Sequence, residues 1–298
     1  MFLKKISRRV RRTLQKERND TSFPWDWSTT VSEANAVIIG GSGRSGTTLL
    51  RVMLDSHPNI CIGPESWLFT PKAISIEKLA HNFELPKSLV QKMIHTAASR
   101  PEFIDVFFAK YSHRVGKSRW GEKTPANILY ISEIFRAFPN ARFIHVIRDG
   151  RDVACSIRTH PRVKEQNGQF VPTNIRRPLG PCIQQWIDAI EAGNYFTNDA
   201  RYLEIKYEDL IRSPEYILER ILFFLNEPWN EQLLEYYTIR TASRDVKKFP
   251  QNIEATKPLN NDSLGRWQQE FTQEDRALFK KMAGNLLAQL GYATDMQW

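Results

Sequence analysis

The strongest chemical signal in the sequence is a glycine-rich turn between an apolar strand and a helix, in the segment VIIGGSGRSGTTLLR at residues 37–51. Gly41, Gly43 and Gly46 permit backbone conformations that are closed to residues with a Cβ, so successive N–H groups can point at one anion. The helix that follows presents its positive end to the same anion. Thr47 and Thr48 add hydroxyl donors. The segment therefore predicts a phosphate-binding loop.

This loop departs from the Walker A pattern GxxxxGK[ST]. The spacing from Gly41 to Gly46 fits, but Thr47 stands where that pattern has the lysine that reaches the β- and γ-phosphates. The departure disfavours a nucleoside triphosphatase. Arg44, inside the loop, supplies a charge that can lie along a phosphate chain toward a transferable group.

A second segment, FIHVIRDGRDVACS at residues 143–156, again reads as strand, turn and helix. Arg148 lies at the end of the strand, and Ser156 follows two helical turns later. Both side chains can therefore face one anion. The segment predicts a second phosphate contact beside the first loop.

With these two segments in this order, the chain resembles the P-loop sulfotransferases that use 3′-phosphoadenosine 5′-phosphosulfate (PAPS). The resemblance is closest to the tyrosylprotein sulfotransferases and their bacterial relatives. It implies that Arg148 and Ser156 hold the 3′-phosphate and that Tyr207 packs against adenine. It also implies that a loop late in the chain, with residues 257–260 and 264–267, closes over the donor; this segment is called the late loop. The PAPS-binding residues implied in this way are Gly43, Arg44, Ser45, Gly46, Thr47, Thr48, Arg148, Ser156, Tyr207, Lys257, Asn260 and Arg266.

The resemblance also implies the catalytic residues. Glu65, in Gly-Pro-Glu-Ser-Trp, matches the catalytic base, which takes the proton of the acceptor hydroxyl. Lys123, in Gly-Glu-Lys-Thr-Pro, matches the lysine that contacts the oxygen bridging sulfate and phosphate, and Arg44 assists it. Glu122, next to Lys123, has no assigned role. Cytosolic sulfotransferases use a histidine base instead, but none of the six histidines here has a matching context, so structural roles are expected for them.

The implied reaction is transfer of the sulfuryl group of PAPS to a hydroxyl acceptor, which can be a peptide tyrosine, a carbohydrate or a glycolipid. Two alternatives remain open: a P-loop kinase of a small molecule, and a non-enzymatic protein that binds membranes or polyanions. No known nucleic-acid-binding motif accompanies the net charge of +9, so a nucleic-acid partner is not expected. The reaction needs no metal. A homodimer is left open.

Composition is that of a globular protein, with 25% charged and 41% hydrophobic residues in a chain of 298. No run of about 18 apolar residues offers a membrane span, and no signal peptide is recognised. Cys61, Cys155 and Cys182 are odd in number and lack metal-ligand spacing, which predicts neither a disulfide framework nor a metal site. A cytoplasmic location is expected.

Residues 1–20 contain eight basic and two acidic residues. Apolar residues recur there at helical spacing, so residues 1–30 are interpreted either as a basic amphipathic helix on an anionic membrane surface or as a solvated tail. Residues 31–298 are expected to form a single sulfotransferase domain.

The elements that must position these residues alternate between strands and helices. This predicts an α/β fold, a P-loop-type parallel sheet flanked by helices, with ligands at the carboxyl ends of the strands. Strands are predicted over residues 36–40, 59–62, 142–147 and 202–205. Helices are predicted over residues 47–56, 87–98, 104–112, 128–138, 181–198, 214–225 and 273–290.

Overall fold

The structure is a computed structural model that describes residues 30–72, 75–160, 162–166, 169–173, 176–239, 250–295 and 297–298. The strands in this part of the chain are β1 (Val37–Gly40), β2 (Ile60–Ile62), β3 (Arg119–Lys123), β4 (Arg142–Ile147), β5 (Arg162–Gln166), β6 (Gln169–Thr173) and β7 (Tyr202–Lys206). Five of them form one sheet in the order β2-β3-β1-β4-β7, in which every neighbouring pair is parallel. Strands β5 and β6 form a separate antiparallel hairpin.

Helices lie between these strands and after the last of them. They are α1 (Thr47–Asp55), α2 (Ile76–Asn82), α3 (Lys87–Thr96), α4 (Arg100–Arg114), α5 (Ile131–Ala137), α6 (Gly150–Thr159), α7 (Leu179–Asn194), α8 (Tyr207–Arg212), α9 (Pro214–Leu225), α10 (Trp267–Glu270) and α11 (Gln273–Gln289). Shorter 3₁₀ helices span Pro125–Tyr130, Glu231–Leu233, Tyr236–Thr238 and Pro250–Thr256.

Helices cover both faces of the main sheet. Ile38 and Phe143 pack on one face with side chains of α4 and α5, whereas Val37 and Ile39 pack on the other face with α1 and α9. The alternation follows the two-residue period of a strand, and burial on both faces explains why β1 is apolar throughout. The predicted α/β fold with a parallel, helix-flanked sheet is confirmed.

The carboxyl ends of four strands bring the predicted site segments to one edge of the sheet. β1 leads into the glycine loop, β3 ends at Lys123, β4 leads into Arg148, and β7 leads into Tyr207. The register supports this alignment, because Ile39 lies beside Lys123 and Ile147 beside Lys206. This edge is where open parallel sheets bind ligands.

The four predicted strands are observed within one residue of their ends, but β3 was not predicted. Its sequence, Arg-Trp-Gly-Glu-Lys, is fully buried although three of its five residues are charged, so it shows neither polar alternation nor an apolar run. The helix predicted over 128–138 is wrong in its first part, because the segment starts as the 3₁₀ helix Pro125–Tyr130 and becomes α-helical only at Ile131.

Other boundaries also differ. Helix α4 begins at Arg100 rather than 104, because the Ser99 side chain accepts a hydrogen bond from the Glu102 N–H and caps it. The predicted helix 181–198 is observed as Leu179–Asn194, and helix α2 and the β5–β6 hairpin were not predicted. Residues 1–29 lie outside the described residues, so the division into a basic tail (1–30) and one domain (31–298) stays a prediction.

Candidate active site

The glycine loop is shaped by close contacts that exclude side chains. Gly46 has a left-handed φ of +93°, and a Cβ at this position would lie 2.2 Å from Tyr207 Cδ2. Gly41 has a φ of +152°, and a Cβ there would lie 2.5 Å from the Val146 carbonyl oxygen. Both positions therefore require glycine. Arg44 adopts a left-handed φ of 75° between them, which the sequence did not indicate.

Two arginines meet beside this loop. Arg44 Nε donates a hydrogen bond to Ser156 Oγ at 3.2 Å, and Arg148 Nη1 donates to the Arg44 carbonyl oxygen at 3.2 Å. Arg148 also donates to the Ser263 carbonyl oxygen, and its guanidinium lies 4.8 Å from the centre of the Tyr207 ring. The loop, helix α6 and the late loop thus converge on one cationic cluster.

The electrostatics of this cluster favour an anion. Burial first, and then repulsion from Arg148 and Arg266, lower the pKa of the Arg44 guanidinium. Arg148 is 5% exposed, and its Nε is buried without a hydrogen-bond partner among the described residues. A phosphate oxygen would satisfy this donor and reduce the repulsion between the two guanidinium groups.

The predicted catalytic residues are in direct contact. Lys123 Nζ donates to Glu65 Oε1 at 2.6 Å and to Thr48 Oγ1 at 3.1 Å. The lysine side chain is 2% exposed, while that of Glu65 is 35% exposed and faces the cavity. An ammonium group from β3 therefore reaches the start of helix α1, where a Walker A lysine would otherwise act.

One cavity of about 1150 Å³ joins these groups. The cavity is lined by most of the predicted site residues, which are Gly43, Arg44, Gly46, Thr47, Thr48, Glu65, Lys123, Arg148, Ser156, Tyr207, Lys257, Asn260 and Arg266. Ser45 does not line it. The Ser45 hydroxyl is buried, and no described residue offers it a hydrogen bond.

The late loop reaches the cavity with its cations already paired. Lys257 Nζ lies 2.6 Å from Glu254 Oε1, and Arg266 Nη2 lies 2.7 Å from Glu270 Oε1. Asp152 on helix α6 fixes this loop, because its carboxylate oxygens accept hydrogen bonds from the N–H groups of Gly265 and Trp267 at 2.8 and 3.1 Å. The sequence gave no sign of this contact, since 113 or more residues separate the partners.

Of the histidines, His160 lines the described cavity. Its pKa is lowered by burial first and then by Arg44 and Arg177, so the neutral imidazole is favoured. His57 and His145 are fully buried elsewhere, in contact with the Pro228 carbonyl oxygen and the Tyr202 hydroxyl, respectively.

On the side of the cavity beyond Glu65, residues from the loop after β2 and from α2 form the wall. These are Trp67, Lys72, Ser75, Lys78, Leu79 and Asn82. Lys72 Nζ lies 3.3 Å from the centre of the Trp67 ring, a cation–π contact. This wall is both aromatic and cationic.

Within the described residues, no group of three or more His, Cys, Asp and Glu side chains is arranged to hold a metal ion. Over the same part of the chain, every helix is too short or too polar to cross a membrane.

A parallel sheet with a glycine loop after its central strand, one arginine inside that loop and a second beside it defines an α/β protein whose site is suited to a phosphorylated ligand. The comparisons with known proteins place it more closely. Residues 36–231 match the model of the sulfotransferase family. The chain belongs to the sulfotransferase family.

Among curated proteins, the chain is similar to a protein-tyrosine sulfotransferase of Drosophila melanogaster, with 28% identity over 79% of this chain and 47% of that protein. It is also similar to protein-tyrosine sulfotransferase 1 of Danio rerio, with 27% identity over 86% of this chain and 72% of that protein. The chain thus spans about half the length of the Drosophila relative.

Solved structures show the same fold. The sulfotransferase domain of the Synechococcus PCC 7002 olefin synthase superposes with a TM-score of 0.62 at 20% identity, over 87% of this chain and 98% of that chain. The sulfotransferase domain from the curacin biosynthetic pathway gives a TM-score of 0.63 at 19% identity, over 86% of this chain and 98% of that chain.

Proposed function

We propose that this protein transfers the sulfuryl group of PAPS to a hydroxyl acceptor. The observation that carries the proposal is the position of Lys123, whose ammonium group bridges Glu65 and Thr48 at the mouth of the glycine loop. One buried cation there contacts both the predicted base and the start of the phosphate-binding helix. Membership of the sulfotransferase family supports the same reaction.

Donor binding is assigned to the cationic cluster. Arg148 and Ser156 hold the 3′-phosphate of PAPS, because both contact Arg44 and the buried Nε of Arg148 has no hydrogen-bond partner among the described residues. The backbone from Gly43 to Gly46, with Thr47 and Thr48, holds the 5′-phosphosulfate. Tyr207 packs against the adenine, and the late loop with Lys257, Asn260 and Arg266 covers the nucleotide.

The chemical step is an in-line transfer. The acceptor oxygen forms a new bond to sulfur while the bond from sulfur to the 5′-phosphate oxygen breaks, which leaves adenosine 3′,5′-bisphosphate. Glu65 takes the proton of the acceptor hydroxyl. Lys123 and Arg44 stabilise the charge that develops on the departing phosphate oxygen, a contribution that is worth about 3 to 4 kcal/mol for one well-placed donor.

The acceptor enters from the wall formed by Trp67, Lys72 and α2. A peptide tyrosine is the first candidate, because the curated relatives named above are protein-tyrosine sulfotransferases. Carbohydrate and glycolipid hydroxyls are the other acceptor classes for this aromatic and cationic wall.

The test is transfer of label from PAPS to a panel of acceptors: tyrosine peptides, oligosaccharides and glycolipids. The wild-type protein should label members of at least one class, and Glu65→Gln should reduce this labelling by about 10² to 10⁴. Glu219→Gln is the matched control, since Glu219 is exposed on α9 and lies outside the cavity lining. An unchanged rate in Glu65→Gln would refute the assigned base.

The basic segment 1–20 is assigned to an anionic membrane surface. Each basic residue near such a surface contributes about 1 kcal/mol. Deletion of residues 1–20 should abolish sedimentation with vesicles containing phosphatidylserine and leave turnover of a soluble acceptor unchanged, whereas equal sedimentation of the shortened protein would refute the assignment. The cytoplasmic location stays a prediction of the sequence, and a homodimer stays open.

A further inference from the structure

The loop that carries Glu65 is held by consecutive residues at the end of strand β3. Lys123 Nζ donates to Glu65 Oε1 at 2.6 Å. The preceding residue, Glu122, binds the next residue of the loop, because its Oε1 accepts hydrogen bonds from Ser66 N–H at 3.1 Å and from Ser66 Oγ at 2.8 Å. Adjacent residues of β3 therefore hold adjacent residues of the loop.

Two further residues complete this contact. Thr124 Oγ1 accepts a hydrogen bond from the Trp67 N–H at 3.2 Å and donates one to Glu122 Oε1 at 2.6 Å. Asn127 Nδ2 donates to Glu122 Oε2. Each of these hydrogen bonds to the Glu122 carboxyl group is donated by its partner, so the ionised form of Glu122 accepts all of them.

The location of Glu122 is unusual for a charged side chain. The residue is 1% exposed, and burial raises the pKa of its carboxyl group while the hydrogen bonds from Thr124, Asn127 and Ser66 oppose that shift. A buried carboxylate is costly unless its hydrogen bonds are satisfied. Here one of those hydrogen bonds comes from the backbone N–H of Ser66. The next residue, Trp67, has a left-handed φ of 61°, so this hydrogen bond holds a loop in a strained conformation.

We propose that Glu122 is a positioning residue for the catalytic base: its carboxylate fixes Ser66, and through Ser66 the place of Glu65 beside Lys123. Glu122 does not line the cavity and acts only through the loop. The inference rests on the proposed function, because it needs Glu65 to be the base. A base displaced by about 1 Å loses up to about 10²-fold in rate.

The test is a double-mutant cycle measured with labelled PAPS and one soluble acceptor. Glu122→Leu keeps the side-chain volume and removes the acceptor oxygens, so kcat should fall by about 10- to 100-fold while the Kd for adenosine 3′,5′-bisphosphate changes by less than about threefold. In the Glu65→Gln background the same substitution should lower kcat by less than about threefold. A purely structural role would lower kcat in both backgrounds.

Two variants give the conservative comparison. Glu122→Gln should retain at least about a third of the wild-type kcat, because the new amide can keep both sets of contacts. Its carbonyl oxygen still accepts hydrogen bonds from Ser66. Its NH₂ group can donate to Asn127 Oδ1, which is unpaired among the described residues, once the Asn127 amide rotates. If Glu122→Leu does not fold, Ser66→Ala replaces it in the cycle. That variant should lose several-fold in kcat in the wild-type background only.

Glu227→Gln is the matched control. Glu227 is a second carboxylate that contacts β3: it follows helix α9 and pairs at 3.1 Å with Arg119, at the opposite end of that strand from Lys123, and its side chain is 10% exposed. The Glu227→Gln substitution should lower the melting temperature without lowering kcat. Equal losses of kcat for Glu122→Leu in both backgrounds, or a wild-type kcat in that variant, would overturn the positioning role of Glu122 and leave the proposed function standing. A wild-type protein that transfers no label to any acceptor would instead overturn the proposed function.

Discussion

Substitution of Gly46 by alanine is the sharpest test of the glycine loop. The new methyl group would lie 2.2 Å from Cδ2 and 2.6 Å from Cε2 of the Tyr207 ring. The ring cannot move freely, because the Tyr207 hydroxyl is hydrogen-bonded to Ser263 Oγ at 2.7 Å and the Arg148 guanidinium lies 4.8 Å from its centre. Displacement of Tyr207 would therefore disturb the cationic cluster and the late loop together.

Two costs add in this variant. An alanine at a φ of +93° loses about 1 to 2 kcal/mol to left-handed strain. Overpacking against the ring adds about 1 to 3 kcal/mol. We expect the sum to lower the melting temperature by at least about 3 °C. The displaced Tyr207 and Arg148 should weaken binding of adenosine 3′,5′-bisphosphate by at least about tenfold, which corresponds to 1.4 kcal/mol.

Gly116→Ala separates strain from contact. Gly116 also has a left-handed φ, +77°, but a Cβ there would meet no atom within 4 Å. It should lose only about 1 to 2 kcal/mol of stability and none of the nucleotide affinity. The assay is thermal melting and titration calorimetry on both variants and the wild-type protein. Equal nucleotide affinity in Gly46→Ala and Gly116→Ala would refute the loop geometry.

Three further outcomes follow from the site and the core. Arg148→Ala should weaken the binding of adenosine 3′,5′-bisphosphate by about 10- to 100-fold and the binding of AMP barely at all, because only the 3′-phosphate loses a charge-assisted contact. Calorimetry measures both affinities, and equal losses for the two nucleotides would contradict this role. Glu65→Gln should be partly rescued by acceptors with a more acidic hydroxyl, whereas Lys123→Ala should lose about 10² to 10³ in kcat for every acceptor; the same dependence on acidity in both variants would show that the two roles are not separate. Burial lowers the pKa of His145 to about 3, whereas a histidine in the unfolded chain has a pKa near 6.5. Below about pH 6.5 the unfolded chain therefore binds a proton that the native protein excludes, so the stability of the native protein falls as the pH drops. That loss should reach about 2 kcal/mol at pH 5 in urea denaturation and be absent from His145→Asn; an unchanged slope in the variant would assign the acid sensitivity to other groups.

The sequence predicted the parts of the site that are local. A strand, a glycine turn and a helix are adjacent in the chain, and so are the strand, Arg148 and the helix that carries Ser156, so spacing alone indicated two anion sites. The contact between Arg44 and Ser156 was not predictable from spacing, because it joins residues 112 positions apart. Only the folded sheet brings the two loops together.

Strand β3 shows why other parts could not be predicted. Its charged residues find partners far away in sequence: Arg119 pairs with Glu227, 108 residues away, and Lys123 contacts Glu65 and Thr48, 58 and 75 residues away. Without knowledge of these partners, polar residues argue against a buried strand. Glu122 could not be given a role for the same reason, since Ser66 lies 56 residues from it.

The measurement that tests the central claim most directly is titration calorimetry of the wild-type protein with adenosine 3′,5′-bisphosphate, AMP, ATP and GTP, without added metal and with magnesium. A PAPS-dependent sulfotransferase with Arg148 and Ser156 on the 3′-phosphate should bind the bisphosphate at least about tenfold more tightly than AMP, ATP or GTP under both conditions. ATP or GTP binding as tightly as the bisphosphate would contradict the assignment of PAPS as donor and favour a P-loop kinase.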